Sequence, residues 1–391
     1  MRNIFMVMKY YKGTDKKRFP KFDKQIAALR RMSYNVSYIY FNNFNIYFHN
    51  GVDDILLKKN YFYYKKLGFI NSIFEYYYLY KYSRSILEKS NSIDYIYMRY
   101  MPYSIGMKKL YKICGKFNFI VEMSTHPILN EVNMEKNKLK RIYFKLSISA
   151  LHRYSKYVTI FTLIGKKQDS YFNRPSINIS NGTDTIGVSK WTKEQNINKD
   201  VHLIGVANLA KWHGYDRLIA GMENYYKNQI SDLDIFFHIV GRDGDGSLVE
   251  LKKYINKSII KQNVIFENEK YGNGLDQLFD KCDFAIGSLG MHRINLPSGS
   301  TLKTKEYLSR GIPFIIGYEE LSIPQELGFY YKVAGDESAI DIKSVLEFAK
   351  NCNKTDQMRE FASMNLSWES QFKKIFNYVE EVHNGIYAEK N

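Results

Sequence analysis

Cysteine is scarce in this chain of 391 residues. It occurs at Cys114, Cys282 and Cys352, an odd number, far apart and without metal-ligand spacing. That excludes a disulfide framework and a zinc module, and suits reduced thiols in a cytoplasm. Long apolar runs are missing too. No stretch reaches the roughly 18 residues of a membrane-spanning helix. The apolar start, residues 1–8, stops at Lys9, too short for a secretory leader, and no small-residue cleavage site follows it. Acid is in deficit, with 40 Asp+Glu against 57 Lys+Arg and a formal charge of +17. Such a charge fits an anionic membrane surface, nucleic acid or a polyanionic substrate. It also fits a Lys-, Asn-, Ile- and Tyr-heavy composition with no partner behind it. No RNA-binding, helix-turn-helix or zinc signature accompanies the charge, so nucleic acid is set aside. The hydrophobic content of 45% is that of a globular protein. The chain is too long for one ordinary core, which predicts two domains of comparable size.

Along the chain, apolar runs and helical patterns alternate. A strand over residues 3–8, a helix over 24–32 with Ile26 and Leu29 on one face, and a strand over 35–41 predict the opening of a parallel α/β domain. Strands within 92–102, 119–127, 157–163 and 176–184, and helices over 108–116 and 141–154, continue it. Residues 60–84 are crowded with tyrosine and phenylalanine, with Lys65, Lys66 and Lys81 among them. Two placements fit this stretch: a helix resting in a membrane interface, or a helix packed on the sheet with its phenols reaching solvent. The polar stretch 185–200 reads as a linker. Beyond it come a strand over 201–208, a loop over 209–214, and a helix with Leu218, Ile219 and Met222 on its buried side. A strand over 234–240 ends in Gly241-Arg-Asp-Gly-Asp-Gly246, a tight turn on its own evidence. Asp243 and Asp245 lack the distal glutamate of a calcium loop, so no metal is expected. Further strands fall at 264–266 and 283–287.

The densest signal is residues 296–316. Residues 297–300 have turn chemistry, 301–310 favour helix, Gly311 stands where a left-handed residue would end it, and 312–316 read as a strand buried on both faces. A loop, a short helix and a buried strand form half of a Rossmann-like unit. The helix start then offers free N–H groups at the crevice where such sheets bind phosphate.

Lys303-Thr-Lys-Glu-Tyr-Leu-Ser-Arg-Gly-Ile-Pro-Phe-Ile315 resembles the C-terminal donor site of GT-B glycosyltransferases, especially glycosyltransferase family 4. Ser180-Asn-Gly-Thr-Asp184 is similar to the signature closing the first domain of that family. The resemblance implies an α/β protein with two Rossmann-like domains facing a cleft. It places an acceptor domain at 1–184, a linker at 185–200, a nucleotide-sugar donor domain at 201–365, and a helix at 366–391 crossing back to the first domain. Glu306 takes the place of the glutamate that holds the donor ribose. A paired glutamate seven residues earlier in the family falls here on Ser298. The arginine and lysine of the family's phosphate loop fall on Asn208 and His213, with Lys211 two residues before the latter.

By resemblance, the donor-binding set is Asn208, Gly241, Arg242, Ser298, Gly299, Ser300, Thr301, Leu302, Lys303 and Glu306. The acceptor side takes Gly13, Arg99 and Glu122. His126, Lys211 and a protonatable His213 carry the catalytic roles, the last two by neutralising charge on the leaving diphosphate. The implied activity is retaining, metal-independent transfer from a nucleoside diphosphate sugar to a lipid-linked glycan of surface polysaccharide synthesis. It would run in the cytoplasm with peripheral contact to the anionic inner membrane face, and with no cofactor beyond the donor. The changed positions leave two alternatives: a non-catalytic glycosyltransferase-like subunit that stabilises a partner enzyme, and a sugar-nucleotide epimerase.

Overall fold

A computed structural model of the chain describes residues 1–12, 20–63, 68–90, 92–193, 200–228 and 233–385. The chain divides into two compact units, Met1–Ser180 with Trp368–Asn391, and Asn181–Ser367.

The first unit is built on a nine-stranded sheet. In chain order it runs β1 (Asn3–Val7), α1 (Pro20–Arg31), β2 (Asn35–Asn42), β3 (Asn45–His49), β4 (Asp54–Lys58), α2 (Gly68–Leu87), β5 (Tyr95–Arg99), α3 (Met107–Cys114), β6 (Asn118–His126), α4 (Leu129–Met134), α5 (Lys138–Tyr154), β7 (Ile160–Gly165), β8 (Ser170–Tyr171) and β9 (Arg174–Ile179). The strand order is β4-β3-β2-β1-β5-β6-β7-β9-β8. The centre, from β2 through β9, pairs in parallel. Its strands are near-continuous apolar runs because helices cover both faces. Proline opens α1, where its missing N–H costs nothing.

The hairpin of β2 and β3 and its continuation in β4 are absent from the sequence pattern. Asn42 pairs with Asn45, so Asn43 and Phe44 form a two-residue turn, both with positive φ (44° and 60°). Such turns are announced by Asn-Gly or Asp-Gly; a phenylalanine in the second position hides the signal. Helix α2 packs one side of the aromatic stretch on the core. It buries Asn71, Glu75, Leu79, Tyr80, Ser83 and Leu87, while Tyr76, Tyr78 and Tyr82 lean on the core from its flanks.

The second unit has a six-stranded, all-parallel sheet in the order β12-β11-β10-β13-β15-β17. Its elements are β10 (Asp200–Leu209), α6 (Tyr215–Lys227), β11 (Asp234–Asp243), α7 (Ser247–Ile255), β12 (Val264–Glu267), α8 (Asn273–Phe279), β13 (Phe284–Ile286), β14 (Ser298–Gly299), α9 (Leu302–Arg310), β15 (Phe314–Ile316), β16 (Glu319–Glu320), β17 (Tyr330–Lys332), α10 (Ile342–Asn351) and α11 (Thr355–Phe361). The order reverses at β10, which lies between β11 and β13; ligands of open α/β sheets bind at such a point. Within the stretch read as a linker, Trp191 is buried in the core of this unit and its indole N–H donates to the Cys282 carbonyl at 2.9 Å.

The chain closes with α12 (Trp368–His383), which belongs to the first unit. Its Trp368, Phe372, Ile375, Phe376 and Val379 share one core with Phe22, Ile26 and Leu29 of α1. Among the described residues no helix is long and apolar enough to cross a membrane.

Candidate functional site

At the carboxyl end of β10 the chain makes one 3-10 turn, Lys211–His213, before Gly214 starts α6. Gly214 has φ 63°, and a Cβ there would lie 2.6 Å from the Gly290 nitrogen. Only glycine fits both the left-handed backbone and the close approach. The loop after β13 is locked to this turn: Leu289 N–H donates to the His213 carbonyl (2.9 Å) and Gly290 N–H to that of Trp212 (3.1 Å). Tyr215 follows with its ring buried and its hydroxyl against Gly205 of β10, where a Cβ would meet it at 2.6 Å.

Helix α9 brings the third part. Thr301 caps it, accepting from the Thr304 N–H, and Gly311 ends it in the left-handed conformation at φ 79°. Lys303, in the first turn, points its Nζ at Tyr215, 3.4 Å from the hydroxyl and 5.5 Å from the ring centroid. Among the described residues no carboxylate pairs with this amine. Desolvation alone pushes its pKa down to about 7. Lys303 is half-buried, and a partly desolvated cation with no counter-charge among the described residues is one that a bound anion would stabilise. Its near neighbour Lys305 is different: it is buried in an ion pair with Glu320 (2.8 Å), and Thr304 donates to the same carboxylate at 2.9 Å.

His213 does not carry the positive charge expected of it. Burial first, then the nearby Lys303, lower its pKa to about 3. Its Nδ1 lies 2.9 Å from the Ala210 nitrogen and 3.1 Å from the Ala210 carbonyl oxygen, so it accepts from the first or donates to the second according to the tautomer. In either tautomer the ring is neutral and not a cation. Lys211 is exposed; its N–H donates to Asp245 at 3.2 Å. Asn208 is engaged by Arg242, whose Nε donates to its Oδ1 at 3.1 Å and lies 3.6 Å from Glu269. Gly241, at φ 131°, is glycine because a Cβ would lie 1.9 Å from the Ala207 carbonyl of β10. Asp243 and Asp245 accept N–H groups at the start of α7. Among the described residues no group of three or more metal-ligating side chains is assembled.

The turn expected at residues 297–300 contains a short strand. Ser298 and Gly299 pair with Glu319 and Glu320, and Ser300 packs its hydroxyl toward that of Ser322. The Ser300 carbonyl accepts from Asn181 (2.8 Å), and the Thr183 and Ser309 hydroxyls meet at 2.8 Å. The Asn-Gly-Thr-Asp segment therefore props α9. Leu302 is exposed. Glu306 lies one turn beyond Lys303, its Oε1 2.9 Å from Arg310, which also binds Asp276 (2.7 Å) and stacks on Phe279.

A cavity of about 320 Å³ opens beside the same turn, lined by Lys211, Tyr215, Asp216, Glu250 and Arg293 among others. Arg293 is already neutralised there by Asp216 (2.7 Å) and Glu337 (2.5 Å). The carboxylates Asp216 and Glu250 stand on the cavity wall beside the cations Lys211 and Arg293.

On the first unit, Glu122 is corrected. It is fully buried under α1, where Lys21 (2.9 Å), Gln25 (3.0 Å), Tyr97 (2.5 Å) and Ser124 (3.0 Å) all donate to it. Lys21 and Arg99 hold its pKa near 2 against the opposing effect of burial. It anchors the fold and has no face left for an acceptor. Arg99, at the end of β5, lays its guanidinium over Phe22 at 5.3 Å. His126 ends β6 nearly buried, its Nε2 2.9 Å from the Gln168 Oε1 and its Nδ1 without a hydrogen-bond partner; burial lowers its pKa. Gly13 lies outside the described residues. Tyr215 and Asn181 were not in the sequence-derived set. An aromatic directly after the loop glycine and the Asn-Gly turn were the available signals.

No protein-family model matches the chain, and no curated protein matches it by sequence. Solved structures do match its fold. The trehalose-6-phosphate synthase OtsA has a TM-score of 0.63 at 10% identity, covering 97% of this chain and 99% of that one. A glycosyltransferase from Rickettsia africae ESF-5 has 0.61 at 12% identity, covering 97% and 98%. A trehalose-6-phosphate structure from E. coli bound with UDP-2-fluoro glucose has 0.61 at 9% identity, covering 97% and 99%. At such identities the likeness is one of fold: two Rossmann-like domains in the GT-B arrangement of elements. A fold hosts many chemistries, and the likeness does not extend to membership of family 4.

Proposed function

We propose that the chain is a glycosyltransferase whose second unit binds a nucleoside diphosphate sugar. The observation that carries this is Lys303, a half-buried amine with no counter-charge among the described residues, beside the N-terminus of α9 and the Lys211–His213 turn. In family 4 a cation stands at the position of Asn208; here the positive charge comes from the opposite side of the crevice, from α9. The GT-B neighbours support the reading, one of them being bound with UDP-2-fluoro glucose.

In the proposed reaction the bond between the anomeric carbon and the diphosphate oxygen breaks, and the electron pair leaves with the diphosphate. Lys303 and the free N–H groups of α9 stabilise that developing charge, joined by neutral His213 in the tautomer that carries its proton on Nε2. The acceptor hydroxyl bonds to the anomeric carbon and its proton passes to the departing phosphate, so neither metal nor protein nucleophile enters and configuration is retained. Glu306 holds the ribose. The acceptor is a glycan, lipid-linked and part of a surface polysaccharide, met by peripheral contact with an anionic membrane.

A thermal-shift panel with UDP, GDP, ADP, CMP and their sugars tests the reading. A ligand of the folded state raises the melting temperature according to its concentration over Kd. A clear shift with one nucleotide is expected, and no shift with any of them overturns the donor site. The second reading, a non-catalytic subunit, is favoured by Ser298 standing where a carboxylate is expected and by Asn208 being occupied with Arg242. Nucleotide binding without turnover of any intact donor, with or without glycan acceptors, would establish it.

A further inference from the structure

Helix α5 carries a stripe that the sequence pattern does not explain. Leu139, Ile142 and Leu146 are 78%, 55% and 64% exposed. Their spacing of three and four residues puts them on one face, opposite the buried Ser147 and Leu151. Single exposed leucines need no explanation, but this stripe is not alone. Phe69 of α2 packs on Tyr143 and Phe144 of α5. The loop after β5 is pinned to both helices: Ser104 donates to the Ile73 carbonyl of α2, and Tyr103 is held by Ser147 and Tyr143 of α5. That loop presents Ile105, 73% exposed, and Tyr103; α2 adds the exposed Ile70 and Phe74, the latter ringed against exposed Phe62. Three adjoining elements at one end of the sheet thus leave large apolar side chains in water.

Basic residues dominate the charge around them, with Glu135 just before α5 as an acidic exception. Helix α5 contains Lys138, Lys140, Arg141, Lys145 and Arg153 and no acidic residue. The one acid of α2, Glu75, is buried and paired with Lys9 at 2.7 Å. A protein partner that covered this face would have to bring both an apolar surface and a dense negative rim. An anionic bilayer surface has both, with phosphate headgroups at the level of the lysines and acyl chains below them.

We infer that the α5 face, with the 103–105 loop and the start of α2, docks this chain on an anionic lipid surface. Leu139, Ile142 and Leu146 insert below the headgroups, and Lys138 and Lys145 lie along them. The inference deepens the membrane contact proposed above by naming its surface, and it rests on that reading.

Flotation of the full chain with vesicles tests it. At low salt the protein is expected to float with phosphatidylcholine–phosphatidylglycerol vesicles, to float poorly with phosphatidylcholine alone, and to dissociate as salt rises. The Leu139→Ser/Ile142→Ser/Leu146→Ser variant should lose at least roughly tenfold in partitioning, with an unchanged thermal melt because the three side chains are exposed. Failure of the wild type to float at low salt overturns the inference, as does a triple variant that floats equally well. If the triple substitution instead abolishes self-association while neither protein floats, the face joins two copies of the chain and the lipid assignment falls. Nucleotide-induced melting shifts are read independently, so lost flotation with intact shifts removes this inference and leaves donor binding standing.

Discussion

Lys303 concentrates the chemistry of the second unit in one side chain. Its pKa of about 7 lies below that of a solvated lysine, so between about pH 7 and 10 the unfolded chain holds a proton that the folded one has released. Stability of the ligand-free protein therefore rises with pH across that window. A bound diphosphate restores the charge, so binding takes up a proton, and nucleotide affinity should fall by up to tenfold per pH unit above about 7. Lys303→Met is expected to weaken nucleotide binding by about 10- to 100-fold at pH 7, the worth of a charge-assisted hydrogen bond. It should also flatten the dependence between pH 7 and 9, and raise the melting temperature without ligand, because it no longer strands a cation. Calorimetric titration over that range checks the first two, and a ligand-free thermal melt checks the third. An unchanged Kd in Lys303→Met would remove this residue from the site. Residue identity alone could not separate Lys303 from Lys305: both are lysines on one short helix, and only packing shows that Glu320 neutralises the second.

The decisive element is the Lys211–His213 turn with the glycine that follows it. Its shape is set by hydrogen bonds to the loop after β13, which lies far off in sequence. Gly214→Ala would force a Cβ into the Gly290 nitrogen and a side chain into a left-handed backbone. The expected loss is about 1–3 kcal/mol of stability, seen as a lower urea midpoint, and a nucleotide-induced melting shift reduced further than the stability change explains. A normal shift would mean that the turn is not part of the donor site. For α9 the local code was complete: cap at Thr301, helix former run, Gly311 at the end and a buried β15 after it. The β2–β3 hairpin was invisible because Phe44 occupies a turn position that usually carries glycine.

At the scale of the whole molecule, the chain leaves its first unit after Ser180 and returns to it at Trp368. Trp368 is fully buried, and Lys21, which pairs with Glu122, lies over its ring at 5.2 Å. The return helix thus covers a buried ion pair as well as an apolar core. Trp368→Ala is expected to cost about 3–5 kcal/mol, unfolding the first unit at lower denaturant while the second holds its own core. Two transitions in place of one, resolved by urea denaturation followed with near-UV dichroism, would report it. An unshifted melt would show that α12 is dispensable to that unit.

The sequence by itself determined the α/β class, the two domains and the limits of α9, and it suggested the residues of a donor site. Those follow from short-range physics: apolar period, cap chemistry, and glycine where a backbone turns left-handed. Tertiary structure decided the charge states and loyalties of those residues. It made His213 neutral by burying it beside Lys303, turned Glu122 into an anchor by surrounding it with four donors, and left Lys303 without a counter-ion among the described residues. Burial and partner distance set a pKa, and both depend on residues brought together from distant parts of the chain.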